Sequence, residues 1–206
     1  MRRHLKSMPL GGTAKTAMNL VKSILAAAVL VVLCSAQLLA QDTSAVEVAV
    51  TYNATRSSSV PGSNFWMEGG SVELQARFYR GLGVVADISG AHTANINTSG
   101  VGLDLVTATF GPRYTWAPAH WRYELFGQVL AGEANGFNSV FPTPSGAADS
   151  SNSLALKMGG GMNIALSRRI ALRAIEANWL RTQLPNATTN VQNNLNIAAG
   201  FVFRLP

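Results

Sequence analysis

Nine ionisable side chains recur within otherwise apolar alternating stretches: Glu73, Arg77, Asp87, Arg113, Glu124, Lys157, Arg173, Glu176 and Arg204. Five are cationic and four anionic, so they nearly cancel. A charge buried alone is costly, and it is tolerated when paired and hydrogen-bonded. The chemistry this set suggests is mutual: a cross-linked polar network. Acyl transfer needs a different pattern, a base within reach of a hydroxyl and an orienting carboxylate. His92 is the candidate base, with Thr93 and loop serines as hydroxyls and Asp87 as the carboxylate. Its five-residue separation from Asp87 puts the two on opposite faces of a strand unless a bulge intervenes. His120, beside Trp121, shows no partner, and a surface position suits both histidines. Gly159-Gly160-Gly161 opens no helix pattern, which argues against a phosphate loop and for close packing against large inward side chains. No histidine or cysteine cluster is present, so no metal or cofactor is expected.

The elements that carry these residues read as strands. In SVELQARFYRGLGVVADISG, Val72, Leu74, Ala76 and Phe78 alternate with Glu73, Gln75 and Arg77, and alternation resumes after Arg80-Gly81 to include Asp87. Period-two patterning predicts strand, tight turn, strand. The same reading predicts eight strands, over 46–54, 67–79, 82–92, 102–115, 121–132, 153–166, 169–181 and 192–204. Connections after the second, fourth and sixth strands are short. The others run roughly ten to twenty residues and are rich in Ser, Asn, Thr, Gly and Pro. Short turns on one side and long polar loops on the other suit a membrane barrel, as do strands long enough to cross a bilayer.

Which face is inside follows from the alternation. Leu74, Phe78, Val106, Phe110, Leu125, Val129, Leu156, Ile164, Leu195, Ile197 and Phe201 share one face. Opposite them lie the nine charges together with Gln75, Thr107, Thr109, Gln128, Asn163, Asn194 and Asn196. A continuous apolar coat would aggregate in water and is required in lipid. The polar face is therefore predicted to be the interior. The fold class is all-β, an eight-stranded antiparallel up-and-down transmembrane β-barrel behind an N-terminal signal peptide. Arg173 and Glu176 differ in parity, so a bulge near Ala174-Ile175 is needed to bring both inward. Eight strands leave a bore that side chains fill, which favours a plugged interior over a gated narrow conduit. Aromatics form two belts. Phe78, Tyr79, Tyr114, Trp116, Trp121, Tyr123 and Phe203 lie beside the short turns, and Tyr52, Trp66 and Trp179 beside the long loops.

Residues 1–40 read as a secretory signal: basic residues, the uncharged SILAAAVLVVL, then cleavage near Ala36 or Ala40, leaving 41–206 as the barrel. All 10 acidic residues lie beyond that leader and five of the 16 basic ones within it, so the mature chain carries eleven against ten, +1. The high pI reflects the leader, and nucleic acid is not an expected partner. Cys34 falls in the leader; a lipid-attachment role is disfavoured because Leu33 sits where a small residue is wanted.

The segments GLDLVTATFGPRYTW, FGQVLAGEANGF and NNLNIAAGFVFRL resemble the OmpA-like eight-stranded outer-membrane β-barrel family in its stand-alone form. The resemblance implies a Gram-negative-type outer membrane, with a structural or surface-interaction role and no catalytic residue. Outer-membrane lipids and the barrel assembly machinery are the implied partners, with an extracellular ligand possible through the long loops. A narrow porin-like channel and a lipid-modifying outer-membrane enzyme are the alternatives. The third long loop, 133–152, is the best contact candidate because Phe137, Val140 and Phe141 sit among turn formers; packing over the barrel mouth is its other reading.

Overall fold

Strands with one apolar face and one polar face have a single closed solution in lipid, a cylinder without edges. The computed structural model has that form, and it describes residues 46–60, 63–96, 99–118, 121–144, 146–186 and 189–205. The leader with its cleavage sites, Cys34 and His120 lie outside the described residues. The strands are β1 (Val46–Val60), β2 (Ser63–Tyr79), β3 (Leu82–Thr93), β4 (Leu103–Trp116), β5 (Tyr123–Thr143), β6 (Gly146–Ala165), β7 (Ile170–Thr182) and β8 (Gln192–Leu205). Each pairs antiparallel with the next, and β8 returns to β1 to close the barrel.

Two of the expected loops are strand instead. β1 and β2 stay paired from Arg56↔Trp66 and Ser57↔Phe65 out to Val60↔Ser63, and β5 and β6 out to Thr143↔Gly146. The wall therefore rises on the long-loop side as two hairpin ribbons. Along the ribbons the backbone ladder continues, with one face turned inward at Phe65 and Phe141 and the other exposed. A register shift between Phe137 and Phe141 marks the third connection. At the opposite end Arg80-Gly81 makes a two-residue hairpin turn with φ of 40° and 89°, the left-handed geometry such turns require.

The expected bulge is present. Met162 faces Ile175 while Asn163 faces Arg173, and Arg173 faces Gly200 while Glu176 faces Ala198. The skipped pairing puts Arg173 and Glu176 both inside. Outward, every strand contributes an exposed apolar side chain to one belt: Val50, Val72, Ile88, Phe110, Val129, Met158, Ile175 and Ile197. Aromatics flank it. Phe78, Tyr79, Tyr114, Trp116, Trp121 and Phe203 stand exposed near the short turns, and Tyr52, Trp66 and Trp179 toward the long connections. Trp116 and Trp121 meet edge to face at 5.5 Å.

Gly161 lies opposite Phe126 in the β5–β6 register. A Cβ there would stand 2.4 Å from the Ile175 carbonyl oxygen and 2.8 Å from Phe126 Cζ. The glycine makes room for the only large ring turned into the polar half of the bore among the described residues. Gly161→Ala is expected to destabilise the refolded barrel by about 1–3 kcal/mol through overpacking, read as a lowered midpoint of heat-induced gel mobility. Gly90→Ala, where a Cβ meets nothing within 4 Å, is expected to leave that midpoint in place.

Candidate functional site

The inward faces form three clusters of charged residues, a large apolar cluster, and a smaller apolar one of Ala49, Ala171 and Val202. Near the short turns, Glu47 on β1 opposes Arg204 on β8 in register. Arg204 donates from Nε to Glu47 Oε1 at 2.9 Å, and its Nη2 lies 2.8 Å from Glu124 Oε1. Arg77 donates from Nη2 to Glu47 and, at 3.3 Å, to Glu124. Two anions and two cations thus alternate, joining β1, β2 and β8 to β5.

A larger cluster crosses the bore. Glu73 Oε2 accepts from Arg113 Nη2 at 2.7 Å and from Arg173 Nη1. Arg173 also donates to Glu176 Oε2 at 2.6 Å and to Asn163 Oδ1 at 3.1 Å. Arg113 donates from Nε to Gln128 Oε1 at 2.8 Å and from Nη1 to Gln75 Oε1 at 3.0 Å. Gln128 turns its amide to Glu176 Oε1 and Asn178 Oδ1, both at 3.0 Å. The Phe126 ring lies beneath both guanidiniums, 4.3 Å from Arg113 Cζ and 4.7 Å from Arg173 Cζ. Both arginines are only 1 % exposed, so their charge is carried by protein partners rather than by water. Lys157 completes the set by donating to Asp87 Oδ1 at 2.9 Å, where Thr109 also donates at 3.3 Å.

Glu73, Arg113, Arg173 and Glu176 therefore form one network, Arg77 and Glu124 a second, and Asp87 and Lys157 a pair. Three participants went unnoticed in the sequence. Glu47 brings the interior to five anions against five cations, and its alternation with Val46, Val48 and Val50 carried the signal. Phe126 shares the parity of Glu124 and Gln128. Asn178 follows Glu176 by two residues.

Toward the long connections the lining changes character. Phe65, Met67, Leu103, Leu105, Phe141, Leu180 and Leu184 pack with Ala134 and Ala155 into a buried apolar cluster. A polar face running the full length of every strand does not anticipate this. The expectation for the third connection divides: Phe141 is 5 % exposed within the cluster, while Val140 on the same ribbon is 63 % exposed.

His92 and Asp87 lie on opposite faces of β3, as their five-residue spacing implies. Asp87 points inward to Lys157, and His92 points outward with Nδ1 2.5 Å from Asp104 Oδ1. Asn138 donates to the other Asp104 oxygen. Direct cross-strand opposition of His92 and Asp104 makes this pair, a contact that spacing along the chain does not reveal. No serine or threonine hydroxyl of the described residues hydrogen-bonds the imidazole. The described residues also hold no group of three potential metal ligands.

No protein-family model and no curated protein matches the chain. Solved structures do. Neisserial surface protein A superposes with a TM-score of 0.60 at 12 % identity, over 78 % of this chain and 97 % of that one. Ail, the attachment invasion locus protein of Yersinia pestis, in complex with the heparin analogue sucrose octasulfate, gives 0.53 at 16 % identity, over 79 % and 99 %. Ail alone gives 0.52 at 15 % identity, over 79 % and 99 %. The likeness is one of fold.

Arg113→Met is expected to lower the unfolding free energy by about 3–5 kcal/mol, because it leaves a buried carboxylate short of a partner. Adding Glu73→Gln should restore part of that loss. Denaturant titration of the refolded barrel measures both; a midpoint unmoved by the single change would remove Arg113 from the stabilising role.

Proposed function

We propose that this chain, whose fold is that of eight-stranded outer-membrane β-barrels, resides in the outer membrane of a Gram-negative-type envelope. Its role there is structural or surface-contacting, and its bore is closed. The observation that carries the closed bore is Glu73 held between Arg113 and Arg173 above the Phe126 ring. These groups reach from β2, β4, β5 and β7 to one point, and an ion passing it would have to break charge-assisted bonds in a medium of low dielectric. The apolar cluster farther out adds a second obstacle, because a dewetted constriction resists ions.

The uninterrupted outward belt supports lipid as the surrounding medium, with the assembly machinery that inserts such barrels as the implied transient partner. Contact with the outside falls to the two ribbons. Arg56 and Arg181 stand in the outer half against Glu68, Asp104, Glu133 and Asp149, so a polysulfate of the kind found with Ail meets no basic cluster there. Exposed Val140 and the polar amides around it suit an uncharged or weakly apolar surface better.

Planar-bilayer recordings of the refolded protein test the closed bore. No steady unitary current is expected, and a reproducible one would favour the narrow channel. Phe110→Lys, a cation placed in the middle of the apolar belt, is expected to cost about 2–4 kcal/mol of stability in lipid vesicles. An unchanged value would count against a hydrocarbon environment for that belt.

A further inference from the structure

The charges that the interior does not use are distributed unevenly between the two ends. Every short connection carries an exposed arginine: Arg80 between β2 and β3, Arg122 between β4 and β5, and Arg168 with Arg169 between β6 and β7. None of these connections contains an aspartate or glutamate. Among the described residues, the carboxylates nearest that mouth, Glu47 and Glu124, turn inward to Arg77 and Arg204. None of the four rim arginines has an ion-pair partner among the described residues. The opposite half of the barrel is acidic by contrast, two arginines against four carboxylates.

The rim arginines stand beside side chains that mark the edge of the hydrocarbon. The Arg80 guanidinium lies 5.4 Å from the Tyr79 ring centroid. Arg122 follows Trp121, whose ring is 4.4 Å from that of Tyr123. Arg168 and Arg169 sit between exposed Leu166 and Ile170. Amphipathic rings of this kind settle at headgroup depth, where lipid phosphates lie. The four cations are also spread over all three turns rather than gathered in one groove. That arrangement fits many small anions surrounding a cylinder better than one polymer lying across it.

We propose that the short-turn rim is a binding surface for anionic phospholipid headgroups of the adjacent leaflet, each guanidinium engaging a phosphate. It rests on the membrane-spanning reading. Guanidinium is suited to this because its fork matches a phosphate with two donors at once. An arginine near an anionic leaflet contributes attraction that salt screens within a Debye length.

The experiment reconstitutes the purified protein into phosphatidylcholine membranes with spin-labelled phosphatidylglycerol or spin-labelled phosphatidylcholine as probe. The expected result is a preference of roughly five-fold or more for the anionic probe in the lipid shell, collapsing in molar salt. Combined Arg80→Asn, Arg122→Gln, Arg168→Gln and Arg169→Gln should bring the preference near unity, whereas Arg56→Gln with Arg181→Gln at the other end should preserve it. Heat-modifiable mobility reports insertion separately. Failure to insert overturns the membrane reading and this one with it. Insertion without an anionic preference, or a preference that survives the fourfold change or molar salt, overturns this one alone. So does a rim that retains isolated cell-wall polymer while ignoring lipid charge. If the fourfold variant does not insert, the salt response and the Arg56/Arg181 control decide.

Discussion

Ten ionisable side chains enclosed by a closed barrel wall must neutralise one another, and the barrel satisfies that condition with five of each sign. Desolvation of each group amounts to several kcal/mol, so the arrangement holds only if every charge finds partners at close range. Glu73 shows how tightly the set is drawn, since a single oxygen receives two guanidiniums from strands on different sides of the cylinder. Around the central pair of arginines, neutral amides take up further donors. Gln75 and Gln128 take up the donors of Arg113 that Glu73 does not reach, and Asn163 does the same for Arg173. The wall positions these groups, and they in turn tie the wall across its diameter.

This dependence explains which features were legible along the chain. A strand between lipid and a polar bore announces its faces by alternation, so Glu73, Arg113 and Lys157 could be assigned inward without coordinates. The same logic located the irregularity in β7, because Arg173 and Glu176 could share the interior only through an extra residue. Partners were another matter. Arg113 and Glu73 are 40 residues apart, and which inward group meets which depends on strand tilt and stagger that no local pattern encodes. His92 illustrates the same limit on the outer surface, where its carboxylate came from the neighbouring strand.

The pattern failed where the medium changes. Toward the long connections the outer faces of β2, β3 and β4 turn polar, and Glu68, His92 and Asp104 replace the aliphatics of the belt. Inside, at the same end, Phe65, Met67 and Leu103 replace the charges. Polarity thus inverts along one strand: greasy outside and charged inside near the short turns, wet outside and apolar inside beyond. A single rule applied from end to end could recover only the first half.

The extra residue at Ala174-Ile175 has a wider reach than its own neighbourhood. It acts like a frame marker in a message of period two. Remove it, and each later position of β7 exchanges its surroundings: Glu176, Asn178 and Thr182 would turn to the outer face, and Trp179 to the lumen. An insertion or deletion here would therefore scramble half a strand. Homologous chains that vary in length should place their variation anywhere but this spot.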